Sequence, residues 1–185
     1  MRRVERKEVL SVAEYDKVRD QMRAQLMKIK EPRRVHLGEH LTFLFENHDT
    51  MLYQIQEMLR AERIEDDAHI KHEIETYNEL VGEQGELGCT LLIEIDDAQK
   101  RADLLSRWIS LPHNLYIKTQ DGARIMAQFD ERQVGERRIS SVHYLKFRLG
   151  DKIPVAIGSQ HPELNLETVL SSAQTAALCS DLMAR

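Results

Sequence analysis

Carboxylates and histidines are the side chains of this sequence whose types and spacing could do chemistry. Glu39 and Glu46 sit at the middle and the end of a run of alternating apolar residues, and His48 follows in a turn. Glu62 and Glu73 fall on or beside the apolar stripes of two amphipathic segments, while His143 shares a strand face with Leu145 and Phe147. A buried carboxylate is costly unless it is paired, hydrogen-bonded or bound to a cation. Brought to one place, Glu46, His48, Glu62, Glu73 and His143 would form an oxygen and nitrogen ligand set suited to a divalent metal, whether iron, manganese or zinc. The ordinary alternative is that each carboxylate reaches solvent or an arginine, for which Arg33, Arg34 and Arg63 are available. Asn47, His48 and Asp49 equally suit a turn and helix cap.

Three other patterns carry chemistry more weakly. Tyr53, Glu57 and Arg60 share the outer face of one helix, with Arg63 at its end. They form either a solvated i, i+3 ion pair or a docking face for a protein partner, since Tyr and Arg are favoured interface anchors. His69 and His72 stand one helical turn apart, but no acid follows where a zincin motif requires it. A set of basic and aromatic residues alternates on late strands: Tyr116, Lys118, Arg124, Met126, Gln128, Tyr144, Lys146 and Arg148. Such a face could take an anion or single-stranded nucleic acid, or it could protect exposed strands from aggregation. The net charge of −5 favours protection and argues against nucleic acid as a ligand. The sequence contains no P-loop, no dinucleotide-binding glycine fingerprint, no GxSxG elbow and no cysteine cluster, and Cys89 and Cys179 read as free thiols.

The elements that must position these groups follow from periodicity. Ser11 and Glu14 form a capping box before a helix carrying Tyr15, Val18, Met22, Leu26 and Ile29, and Pro32 stops it. Val35 to Glu46 reads as one half-buried strand with Glu39 as the anomaly on its apolar face. Asp49 or Thr50 can cap the next helix, whose stripe of Met51, Leu52, Ile55, Met58 and Leu59 takes in Glu62. Asp66 caps another that ends at Gly82. Leu87 to Asp96 is a strand, and a helix follows to about Ile109. Leu115 to Thr119, an Asp121-Gly122 turn and Ala123 to Asp130 make a hairpin, with Ile139 to Leu149 as the third strand of a β-meander. A short strand from Pro154 to Ile157 and a His161-Pro162 turn lead to a last helix from about Leu166 to Met183, capped by Asn165.

The order of elements predicts a single α+β domain over residues 1–185, a largely antiparallel sheet with its C-terminal meander packed against several helices. With 42% hydrophobic and 31% charged residues the composition is that of a folded protein. No apolar run approaches the ~18 residues of a spanning helix. The basic N-terminal stretch MRRVERKEVL lacks the apolar region of a secretory leader, so a cytoplasmic protein is expected.

The phrase FENHDTMLYQIQEMLRAERI, continued by EIETYNEL and later by RISSVHYLKFRL, resembles the bacterial family designated domain of unknown function 3501. The resemblance runs from the first helix to the HPEL segment. It implies a small cytosolic protein whose gene lies beside those of rubrerythrin-like proteins and iron-sulfur oxidoreductases, and hence a place in peroxide or iron-sulfur redox metabolism. It transfers no catalytic residues. The leading expectation is therefore an accessory or binding protein that engages a redox or iron-sulfur protein through the segment from Phe43 to Arg63. The rival is a metalloprotein built on the Glu and His set, and the third reading is anion or nucleic-acid binding on the basic sheet face.

Overall fold

The computed structural model describes residues 2–184; Met1, part of the N-terminal stretch read for a leader, and Arg185 lie outside the described residues. Helix α1 (Val12–Lys30) starts at the expected capping box, with Ser11 and Glu14 exchanging side-chain to backbone hydrogen bonds. Pro32 then sits in a short 3-10 turn.

The strand expected from Val35 to Glu46 is instead a hairpin of β1 (Arg34–Leu37) and β2 (Leu41–Glu46). Gly38 turns the chain in the left-handed region, at φ +63°. Its register pairs Val35 with Phe43 and Leu37 with Leu41, so both strands show their odd-numbered residues to one core. That parity is why the alternation reads unbroken through the turn. Glu39 lies in the turn with its side chain 79% exposed, not on an apolar face.

Helix α2 (His48–Glu62) is capped by Asn47 rather than by Asp49 or Thr50. Asn47 Oδ1 accepts from the Thr50 amide at 3.0 Å, and Thr50 Oγ1 accepts from the Asn47 amide at 2.9 Å. Helix α3 (Asp67–Asn78) starts at Asp66 as expected. Strand β3 (Glu86–Ile93) and helix α4 (Ala98–Arg107) follow, then β4 (Leu115–Thr119) and β5 (Arg124–Met126). The chain closes with β6 (Val142–Arg148), β7 (Pro154–His161), β8 (Leu164–Val169) and helix α5 (Ser172–Met183).

The described strands form two antiparallel sheets of four, ordered β1-β2-β3-β6 and β5-β4-β7-β8, so the class is α+β. The third meander strand pairs elsewhere than expected. β6 lies beside β3, with Leu91 opposite His143 and Leu87 opposite Phe147, and meets the β5 side at a bridge between Gln128 and Lys146. The segment between β5 and β6 is long enough to leave one sheet for the other, and the apolar face of β6 matches that of β3. The expected start of the last helix is also corrected. Leu164 to Val169 pairs with β7 as an edge strand, and Ser171 caps a shorter helix. Most of β8 is exposed, so its alternation carries little contrast between faces.

Phe43, Phe45, Leu91 and Phe147 of the first sheet share one core with Leu115, Ile117 and Ile157 of the second and with Leu178 and Leu182 of α5. A second cluster joins Met51, Ile55 and Leu59 of α2 to Ile70 and Ile74 of α3 and to Val4 and Val9. This helical layer covers part of the outer face of the first sheet. At Gly88 the chain just after α3 comes so near that an added Cβ would lie 1.9 Å from the Leu80 carbonyl oxygen. No helix among the described residues is long and apolar enough to cross a membrane.

Candidate functional site

Glu46 ends β2 one residue after Phe45, so strand parity turns its carboxylate away from the shared core and toward the helical layer. It is only 6% exposed. Its Oε1 accepts a hydrogen bond from Thr90 Oγ1 at 2.8 Å, whereas Oε2 has no hydrogen-bond partner among the described residues. A buried acceptor left so costs about 1–3 kcal/mol, and more when it is charged. The carboxylate lines a cavity of about 180 Å³ between sheet and helices. Leu44, Met51 and Leu80 give it apolar walls. Lys30 at the end of α1, Gln54 of α2, Tyr77 of α3 and Tyr144 of β6 complete its lining. Burial pushes the Tyr77 hydroxyl above the usual phenol range, which keeps it a proton donor. Lys30 has no carboxylate within 4.0 Å among the described residues, Glu46 included.

A larger groove of about 620 Å³ adjoins the cavity across Leu80 and Tyr144, with Arg3, Gln128, Asp130 and Lys146 along it. Cys89 lies on the other side of the sheet from Glu46, and burial, reinforced by the charge of Glu46, pushes its thiol well up. It is a neutral core residue rather than a nucleophile.

The family model for proteins of unknown function designated DUF3501 matches residues 3–182. The chain belongs to this family. A crystal structure of a novel protein of unknown function from Burkholderia pseudomallei K96243 is similar over 98% of this chain and 100% of that one, at 31% identity and a TM-score of 0.89. Among curated proteins there is no match.

This DUF3501 chain does not bring the predicted metal ligands together. Of the five, Glu46 alone lines the cavity. His48 points to the N-terminal segment, its Nε2 3.2 Å from Glu8 and its Nδ1 3.0 Å from Asp49. Glu62 is exposed at the end of α2, because the stripe it was placed in has already run out at Leu59. Glu73 is half-buried on α3. His143 faces the core between the sheets, on the opposite face of the first sheet from Glu46. Its Nε2–H donates to the Ser140 carbonyl at 3.0 Å, its Nδ1 has no hydrogen-bond partner among the described residues, and burial pushes its pKa down. No group of three His, Cys, Asp or Glu side chains among the described residues could hold a metal ion.

The predicted docking face of α2 is occupied within the DUF3501 fold itself. Glu57 accepts from Arg19 Nε and Nη2 at 2.7 and 2.8 Å and from the Tyr15 hydroxyl at 2.6 Å, so Arg19 and Tyr15 together hold its carboxyl down at about 2. Arg60 Nε donates to Asp16 at 2.6 Å, and Tyr53 packs edge-on against Tyr15. All three α1 residues lie on one face, at a helical spacing that periodicity in α2 alone could not reveal. Arg63 is the left-handed C-cap of α2, at φ 54°.

The basic sheet face is likewise divided and paired. Tyr116 and Lys118 donate to Glu167 of β8, and Arg124 stacks over Tyr116, in the second sheet. Lys146 and Arg148 of the first sheet pair with Glu86. His69 bonds Asp66 at the start of α3 and stays exposed. Sequence reasoning missed Lys30, Gln54, Thr90 and Tyr144 as neighbours of Glu46. The available signal was parity, since Leu44 and Glu46 had to face away from Phe43 and Phe45.

Proposed function

We propose that this protein is a non-enzymatic binding protein that holds a small, hydrogen-bond-donating ligand on Glu46, in the cavity between the first sheet and helices α2 and α3. The observation that carries the reading is the second carboxylate oxygen of Glu46, buried and without a hydrogen-bond partner among the described residues, on a residue that lines the cavity. Polar groups converging in a partly apolar pocket are the usual make-up of a ligand site. The side chains around the cavity suit recognition more than catalysis. Thr90 donates its hydroxyl to Glu46, and among the described residues neither a histidine nor a second carboxylate lines the cavity to complete an acid-base pair.

The test is a fragment screen of amines, amides and alcohols against isotope-labelled protein, followed by NMR. Shifts at Gln54, Tyr77 and Thr90 that vanish in Glu46→Gln are expected. Fragments that perturb only other surfaces, or that bind the variant equally, would overturn the reading.

The family resemblance supports an accessory setting for this binding, beside a peroxide or iron-sulfur redox protein. In that setting a strain lacking the protein is more sensitive to peroxide, and Glu46→Gln reproduces the defect. Equal survival of all three strains would remove the redox setting and leave the ligand site to the NMR experiment.

A further inference from the structure

Resting on the Glu46 reading, we infer that the ligand is a small zwitterion of the α-amino-acid class, its ammonium on Glu46 and its carboxylate on Lys30. Charge balance within the cavity selects this class. Glu46 presents a buried carboxylate oxygen without a partner, and Lys30 lines the same cavity without a carboxylate within reach among the described residues. A simple amine would satisfy Glu46 but bring a second cation beside Lys30. A simple carboxylate would satisfy Lys30 but bring a second anion beside Glu46. Like charges brought to one site repel, whereas a molecule carrying both signs completes two ion pairs at once.

Size and remaining chemistry narrow the class. A cavity of about 180 Å³ has room for roughly six to twelve water-sized groups, the scale of a small amino acid and below that of a nucleotide or peptide. Gln54 and Tyr77, within hydrogen-bonding reach of each other, add an amide and a hydroxyl to the residues around the ligand. Leu44, Met51 and Leu80 offer an apolar wall to a short aliphatic side chain.

Calorimetric titration of the full chain with the proteinogenic L-α-amino acids, one at a time, tests the inference. For L-alanine the matched controls are ethylamine, which lacks the carboxylate, and propionate, which lacks the ammonium. The expected result is saturable binding of one or more small amino acids, with both half-molecules at least about tenfold weaker. Lys30→Met, which keeps the aliphatic stem, and Glu46→Gln should each weaken the amino acid by at least about tenfold while retaining the wild-type circular dichroism spectrum. Ethylamine binding as well as L-alanine, unchanged in Lys30→Met, would overturn the zwitterion and leave the Glu46 site standing. No binding by any amino acid would overturn it too, and the NMR fragment screen then decides separately whether Glu46 holds another ligand.

Discussion

Replacing Glu46 by glutamine separates two roles that a buried carboxylate combines. The amide oxygen can still accept from Thr90, while a neutral NH2 takes the place of the unpartnered carboxylate oxygen. Burying a neutral group costs less than burying a charged one, so stability should rise by about 1 kcal/mol in urea unfolding at neutral pH, as ligand affinity falls. A loss of stability would mean that the carboxylate is held by the fold and not kept for a ligand. Histidines give a second residue-scale prediction. Burial pushes both His143 and His161 below the ordinary imidazole range, so each stays neutral in the folded protein while its unfolded counterpart takes a proton near pH 6.5. Their contribution is fully present above about pH 6.5 and is lost as the pH falls toward the lowered folded values, at no more than about 1.4 kcal/mol per pH unit for each. Urea unfolding of His143→Leu across this range should give a shallower slope than wild type. An unchanged slope would show that the buried imidazole takes no part.

Elements with local signals are the ones that the sequence makes readable. The Ser11 and Glu14 box begins α1, Asp66 begins α3, and the Asp121-Gly122 turn joins β4 to β5 with Asp121 accepting from the Ala123 amide. Each rests on atoms a few residues apart. The choice of sheet for β6, the strand character of β8 and the covering of α2 by α1 rest on partners far along the chain, and periodicity is silent about them. Glu46 was readable as an acid at a strand end, but Thr90, which bonds it, and Lys30 and Tyr77, which line its cavity, come from three other elements. The α1–α2 contact makes a testable element. Glu57→Ala should cost about 2–4 kcal/mol, since it strips Arg19 and the buried Tyr15 hydroxyl of their shared acceptor. Acid sensitivity should change with it. Glu57 titrates at about 2 in the folded protein, so its contribution is complete above an ordinary carboxylate pKa near 4.5 and is lost as the pH falls toward 2. Wild type and Glu57→Ala should thus converge in stability over that window, and a constant gap would show that packing alone separates them.

The whole molecule depends on contacts that join its two ends around the shared core. Arg33, just after α1, donates through Nε and Nη2 to both oxygens of Asp181 in α5, at 2.7 and 2.8 Å, across 148 positions of sequence. Both side chains are largely buried, and Arg33 Nη1 also donates to the Ile29 carbonyl at 2.8 Å, so the guanidinium is well satisfied. The pair holds α5, with Leu178 and Leu182 beneath it, against the core that both sheets contribute to. Removing one partner leaves the other charge buried and alone, whereas removing both leaves none. Asp181→Ala should therefore cost about 3–5 kcal/mol and lower Tm by roughly 10 °C in calorimetry. The double variant Arg33→Met with Asp181→Leu should recover most of that loss. Because α5 covers the core of both sheets, the single variant should still unfold in one transition that near-UV and far-UV circular dichroism report alike. Two separate transitions would instead mean that the helix detaches while the sheets remain folded, and that the ion pair fastens a flap rather than closing the core.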